Sequence, residues 1–320
     1  MSKSDKTAEE NAHLDHGVHT DPAALDELTD AASAETVAVG ADGAVAGYRA
    51  GRTLRLGVEL RRQLRRRRTQ LVLALVALLP FVLVVAFEIG NANPNQRSGG
   101  FIDLATASAP NFVVLAMFVS GSFLLPMIVA LYFGDTIASE ASWSSLKYLL
   151  SVPVPRHRLL RQKAIASALL SAITVAVLPL MALLVGVVWY GAGQAISPTG
   201  DSISFGRAVL AILLGSVYIM IQLSWVAALG LLLSVLTDAP LGAVGGAVLV
   251  SILSQILDQI TALGSLRDFL PTHFSFAWMD LIATDIDWSG MASGLLSAVL
   301  YAAVFGLLAA RRFATKDITS

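Results

Sequence analysis

Between two long apolar runs lies one polar segment, DTIASEASWSSLKYLLSVPVPRHRLLRQK over residues 135–163, which gathers Asp135, Glu140, Lys147, Arg156, Arg158, Arg161 and Lys163. Such groups can hold a partner by charge and by an apolar stripe. At about 100° per residue, a helix from Ser139 to Ser151 places Trp143, Leu146, Leu149 and Leu150 on one side and Glu140, Ser144, Lys147 and Ser151 on the other. Pro153 and Pro155 end it, because proline lacks the amide hydrogen and disfavours helix in the residue before it. The chemistry offered is docking of a protein, with an incidental linker resting on lipid headgroups as the competing reading.

Other constellations are thin. The chain has no cysteine, which excludes disulfides, thiolate metal sites and a cysteine nucleophile. His13, His16 and His19 recur every three residues in an acidic stretch and read as solvated rather than metal-binding. His157 and His273 have no evident partner, so no catalytic residue and no metal site is expected. The loop pattern Gly-x-x-x-x-Gly-Lys-Ser/Thr, which cradles nucleotide phosphates, is missing from the sequence. This chain therefore holds no ATP by that route.

The elements that position the polar segment are membrane spans. Hydrophobic residues make up 55% and charged residues 14%, well below the roughly one quarter charged of soluble domains. A helix needs about 20 apolar residues to cross the hydrocarbon core. Six stretches qualify, near Leu71–Ile89, Phe112–Phe133, Ala164–Tyr190, Ala208–Leu236, Leu241–Ala262 and Met291–Ala310. The expected fold is all-α and polytopic, with six transmembrane helices.

Orientation follows from the flanking bases. Residues 49–70 carry nine arginines, 134–163 carry five lysines and arginines, and the C-terminal tail carries Arg311, Arg312 and Lys316; the alternate loops carry only Arg97, Arg207 and Arg267. The positive-inside rule then places both termini in the cytoplasm. Residues 237–240 form a tight inner turn, and the outer loops are 90–111, 191–207 and 263–290, the last rich in aromatics and read as one or two short helices.

Residues 1–48, acidic and nearly free of aromatics, read as a disordered tail; the polar stretch before Leu71 argues against a cleavable signal. Over residues 52–68, Leu56, Leu60 and Leu64 fall on one line, with Arg55, Glu59, Arg62 and Arg66 opposite. This describes an interfacial amphipathic helix at residues 49–70, drawn to the lipid bilayer, and equally a plain topology anchor. Pro80, Pro126 and Pro179 fall within spans, where kinks are common. Gly242, Gly245 and Gly246 have spacing that lets helices approach closely and form a possible packing face. Asp258, between Gln255 and Gln259, is the only acid well inside an apolar run and either lines an outward cavity or is solvated near the interface. Glu88 is read as solvated. High arginine and alanine content suggests a bacterium with a GC-rich genome.

The order of tail, interfacial helix, span, outer loop, span and polar helix resembles the type-2 ATP-binding-cassette exporter permeases. The residues that carry it are Asp135, Glu140, Leu146, Lys147, Leu149, Leu150, Pro153, Arg156, Leu159, Leu160 and Lys163, with Leu270, Pro271, Thr272, His273 and Trp278 before span 6. The resemblance covers about 50–310. It implies a permease without catalytic activity of its own, in a plasma membrane, paired with a second permease chain and with cytoplasmic ATPase subunits that bind the ATP and magnesium. It also implies ATPase contacts at Glu140, Trp143, Leu146, Lys147, Leu149 and Leu150, a second contact at the interfacial helix, and re-entrant helices in the loop before span 6. No nucleic-acid partner is expected. The nearly uncharged spans favour an amphipathic or hydrophobic cargo. A secondary transporter, which would show ionisable groups or broken helices at mid-membrane, and a non-transporting scaffold are the rival functions.

Overall fold

The computed structural model describes residues 56–91, 101–142, 155–196 and 200–316. The expected acidic tail 1–48 and the amphipathic stretch 143–151 therefore lie outside the described residues, as do Trp143, Leu146, Lys147, Leu149 and Leu150. Of the described residues, 84% are helical, and six helices are long and apolar enough to cross a membrane. The protein is an all-α polytopic membrane protein.

In chain order the elements are α1 Leu56–Leu64, α2 Arg67–Asn91, α3 Phe101–Ala105, α4 Ala109–Ser122, α5 Leu124–Ser142 and α6 Arg156–Tyr190. A two-stranded antiparallel hairpin follows, β1 Ala195–Ile196 with β2 Ser202–Ile203. Then come α7 Phe205–Gln222, α8 Ser224–Leu236, α9 Pro240–Asp258, two 3₁₀ stretches at Thr261–Phe269 and Ala277–Ile282, and α10 Trp288–Thr315. The two 3₁₀ stretches occupy the outer loop in which short helices were expected.

Span 2 departs from the expected single helix. It is broken at Phe123, whose backbone has φ −139° and ψ −49°. Pro126 explains the break, since it has no amide hydrogen to give to the carbonyl of Ser122 four residues back. That carbonyl is not left bare: Gln255 on α9 donates to it at 2.6 Å. Pro80 and Pro179, by contrast, sit inside the unbroken helices α2 and α6. Span 4 has a milder joint at Leu223, between α7 and α8, where the backbone stays right-handed helical at φ −75° and ψ −3°.

Spans 2 and 4 form the centre. The apolar window of α5 is 72% buried, while those of α2 and α10 are each 17% buried. On α2, Leu71, Leu75, Leu78, Val82 and Val85 are exposed, a surface that is stable only in hydrocarbon. The central crossing depends on Gly134. A methyl group there would lie 2.9 Å from Val244 Cγ2 on α9 and close to the backbone of that residue, and Gly230 on α8 meets the same backbone at Gly134. This close approach lets Ser234 on α8 accept from the main-chain amides of Ile137 and Ala138 at 2.8 and 2.9 Å. Tyr132, Thr136, Ser167 and Thr174 link α5 to α6 by hydroxyl hydrogen bonds, a polar glue between the two helices.

The expected packing face on α9 divides. Gly242 and Gly245 are exposed and Gly245 meets nothing nearby, whereas a methyl at Gly246 would lie 3.0 Å from Leu233 of the same chain.

Candidate functional site

Residues 134–163 are not an independent polar loop. Their first part is the last turns of α5, Leu124–Ser142, and their last part the first turns of α6, Arg156–Tyr190. Buried charges hold the two ends together. Lys163, 4% exposed, donates to the carboxylate of Glu140, 6% exposed, and Arg62 of α1 reaches the same Glu140 oxygen at 3.3 Å. Glu59 completes the cluster: it accepts from Arg62 at 2.8 Å and from Gln63 at 2.9 Å, with Lys163 at 3.9 Å. Two acids and two bases thus balance where α1, α5 and α6 meet. One helical turn away, buried Asp135 pairs with Arg68 and, at 3.6 Å, with Arg66.

Two expectations change here. Glu140 was placed on the outward polar side of a docking helix beginning at Ser139; residues 139–142 instead finish α5, and Glu140 points into the protein. Its partner Lys163 lies 23 positions on, beyond the reach of any single-helix pattern. Glu59 was placed opposite Leu56, Leu60 and Leu64, yet at about 100° per residue it stands only about 60° from Leu56, and it turns inward beside Leu60 and Leu64. Burial raises the pKa of Glu59, but the hydrogen bond from Arg62, the charge of Lys163 and the bond from Gln63 outweigh that and hold it below its ordinary value. Arg62 and Arg66 remain partly exposed, at 48% and 32% of their side chains.

The same end of the protein is tied further by Arg156, which donates to the carbonyls of Ala314 and Lys316 at 3.1 and 3.0 Å, where the C-terminus of α10 presents unpaired carbonyls. Lys316 in turn donates to Val235 O at 3.0 Å and Asp238 at 2.8 Å, in the turn between α8 and α9. The three base-rich segments and the 237–239 turn therefore share one end of the bundle.

At the other end, residues 270–274 are stitched to spans 4 and 5 one group at a time. Gln222 donates to Pro271 O at 2.7 Å, Ser254 and Thr272 share a hydroxyl bond of 2.7 Å, and Tyr218 donates to Phe274 O at 2.6 Å. His273 is not partnerless as its sequence context suggested. It lies 2.5 Å from Asp258 through Nδ1 and 3.3 Å from Asp268 through Nε2. Asp258 lines a cavity of about 100 Å³ beneath this loop. The second 3₁₀ stretch packs on the bundle through Trp278, Leu281 and Ile282, all buried, whereas the first buries no residue. Among the described residues no cluster of three His, Asp or Glu side chains forms a metal site.

Six helices long and apolar enough to cross a membrane, with charge concentrated at one end and a structured cap at the other, are the layout of a polytopic membrane protein. The model of the family described as ABC-2 family transporter protein matches residues 56–318, and the chain belongs to that family. It is the multi-pass membrane permease component of an ABC transporter. No curated protein matches it.

Proposed function

We propose that this chain is one half of an exporter in a bacterial plasma membrane, with both termini in the cytoplasm, paired with a second permease chain and driven by separate ABC ATPase subunits that hold the ATP and magnesium. The observation that carries the reading is the buried Glu59–Arg62–Glu140–Lys163 cluster. It ties the end of α5 and the start of α6 to α1, so force applied to residues 143–154 passes into α5, α6 and α1 together. Trp143, Leu146, Leu149 and Leu150 supply the apolar docking stripe for the ATPase, Lys147 its charge, and α1 with the residues that follow it a second contact through the partly exposed Arg62 and Arg66. Glu140 serves by fixing the lever rather than by touching the partner.

The base-rich ends support the inward placement of that face, because arginines and lysines are retained on the cytoplasmic side. The open Gly242 and Gly245 face of α9 is available to the second permease chain. ATP binding in the partner supplies the difference in affinity that shifts the permease between states. The cargo is amphipathic or hydrophobic and enters from the inner leaflet.

The test is co-purification of a cognate ABC ATPase subunit with the full-length permease. Trp143→Ala and Leu146→Glu each abolish or strongly weaken recovery of the ATPase, since a central apolar anchor is worth about 2 kcal/mol or more, while membrane insertion is unchanged. Undiminished recovery with both substitutions present overturns the docking assignment.

A further inference from the structure

The leucine stripe of α1 is turned to the protein. Leu60 and Leu64 pack against the hydrophobic core, with Glu59 and Gln63 bonded to each other on the same side of the helix. At about 100° per residue, Arg61 and Arg65 stand about 140° and about 180° from Leu56, and both are exposed. Arg65 continues this helical face, because its amide donates to Arg61 O at 3.1 Å. What α1 turns outward is therefore base, not hydrocarbon.

The neighbouring helices fix the level at which these bases sit. α1 meets α6 beside Lys163, the last base before the apolar part of that helix. On α2, Arg67 precedes Leu71, Leu75, Leu78, Val82 and Val85 at helical spacing, and all six are exposed. A stripe of that composition faces hydrocarbon, and at about 1.5 Å per residue Arg67 lies about 6 Å before its first leucine. That is headgroup depth for a side chain that extends its guanidinium toward water.

The arginines divide by what holds them. Arg62 is taken by Glu59 and Glu140, and Arg66 and Arg68 by Asp135. Among the described residues no acid lies within ion-pair distance of Arg61, Arg65 or Arg67. Their neighbours add to the positive field: burial, then the charges of Arg68 and Arg62, hold the pKa of Arg66 below its ordinary value. A guanidinium matches a phosphate with two parallel N–H bonds. The charge complement of three such groups at this depth is a lipid headgroup of net negative charge. A phosphatidylcholine head carries the same phosphate but offsets it with its own cation.

We propose that Arg61, Arg65 and Arg67 seat anionic phospholipid headgroups, which clamp α1 between the bilayer surface and the Glu59–Arg62–Glu140–Lys163 cluster. The seat does not rest on the export reading.

The experiment titrates the delipidated full-length permease, in non-ionic detergent micelles without any ATPase, with dioctanoyl phosphatidylglycerol, dioctanoyl phosphatidylcholine or inorganic phosphate at equal ionic strength. The thermal unfolding midpoint is followed. Phosphatidylglycerol gives a saturable rise that phosphatidylcholine and phosphate do not, and higher ionic strength weakens it. An arginine near an anionic surface is worth about fivefold in affinity, so the triple variant Arg61→Gln, Arg65→Gln, Arg67→Gln binds about a hundredfold more weakly. Without lipid that variant unfolds at the native midpoint. The double variant Arg311→Gln, Arg312→Gln, which removes two exposed bases from the end of α10, keeps the native affinity. No saturable rise, or unaltered affinity in the triple variant, overturns the proposal. An equal rise with phosphatidylcholine or with phosphate overturns it in favour of lipid packing or a soluble anion. Equal weakening in the double variant overturns it in favour of diffuse charge. A lipid-free triple variant less stable than the native protein overturns it by showing that the chain's own acids, those of residues 1–48 included, hold these arginines. Because no turnover is measured, failure of the ATPase reading does not alter this result.

Discussion

Replacing Lys163 with Met leaves the carboxylate of Glu140 inside the protein, with Arg62 as the other cation beside it among the described residues. Lys163 and Glu140 have side chains 5% and 7% exposed, so solvent screens their attraction little; a pair near contact is worth about 4 kcal/mol at an effective dielectric of about 20. Arg62 lies 3.3 Å from Glu140 but is 48% exposed, and it recovers only part of that. Removing one member of a buried pair costs about 3–5 kcal/mol, and the residual contact places Lys163→Met at the lower end, about 3 kcal/mol. Glu140→Gln leaves Lys163 beside Glu59 at 3.9 Å and costs somewhat less. The double variant has neither stranded charge and loses at least about 2 kcal/mol less than the sum of the two singles. The assay is reversible unfolding from mixed micelles, read by the fluorescence of the buried Trp225 and Trp278, at low and high salt. Single losses below about 1 kcal/mol, or strictly additive effects, refute the claim that this cluster ties α5 and α6 to α1.

Gly294→Ala drives a methyl to 2.1 Å from Tyr218 Oη, displacing the hydroxyl from Phe274 O; it destabilises by about 1–3 kcal/mol, and Tyr218→Phe in the same chain restores part of this in the same unfolding assay. Gln255→Leu strands the Ser122 carbonyl that Pro126 leaves free, and costs about 1–3 kcal/mol. Because the pKa of Glu59 is lower folded than unfolded, its stabilisation is complete above the unfolded carboxyl value and is lost as pH falls through the folded one. Unfolding followed on the acid side of that range steepens with falling pH in the native protein and flattens in Glu59→Gln; identical acid profiles contradict the assignment.

The spans were legible because crossing hydrocarbon demands apolar length, and that demand is local in sequence. The sharing of one end by the three base-rich segments was legible for the same reason. What escaped the sequence were relations between helices. The periodicity around Glu140 fixes its own face but not that α6 brings Lys163 to it, whereas the inward turn of Glu59 was legible, since its angle of about 60° to Leu56 already sets it on the leucine side. The break at Phe123 was foreshadowed by Pro126, but Pro80 and Pro179 carry the same signal in unbroken helices; the difference is Gln255, which offers the freed carbonyl a donor from another span. His273 looked isolated since Asp258 lies on the preceding helix, and Gln222 gave no sequence signal beyond being an amide in an apolar run.

Whether residues 143–154 face the cytoplasm and seat an ATPase can be measured directly, because the sequence contains no cysteine. Lys147→Cys introduces a single thiol for a membrane-impermeant maleimide. The account predicts labelling in inverted vesicles but not in intact cells, and protection of the inverted vesicles when the ATPase is bound. Labelling of intact cells from outside contradicts it.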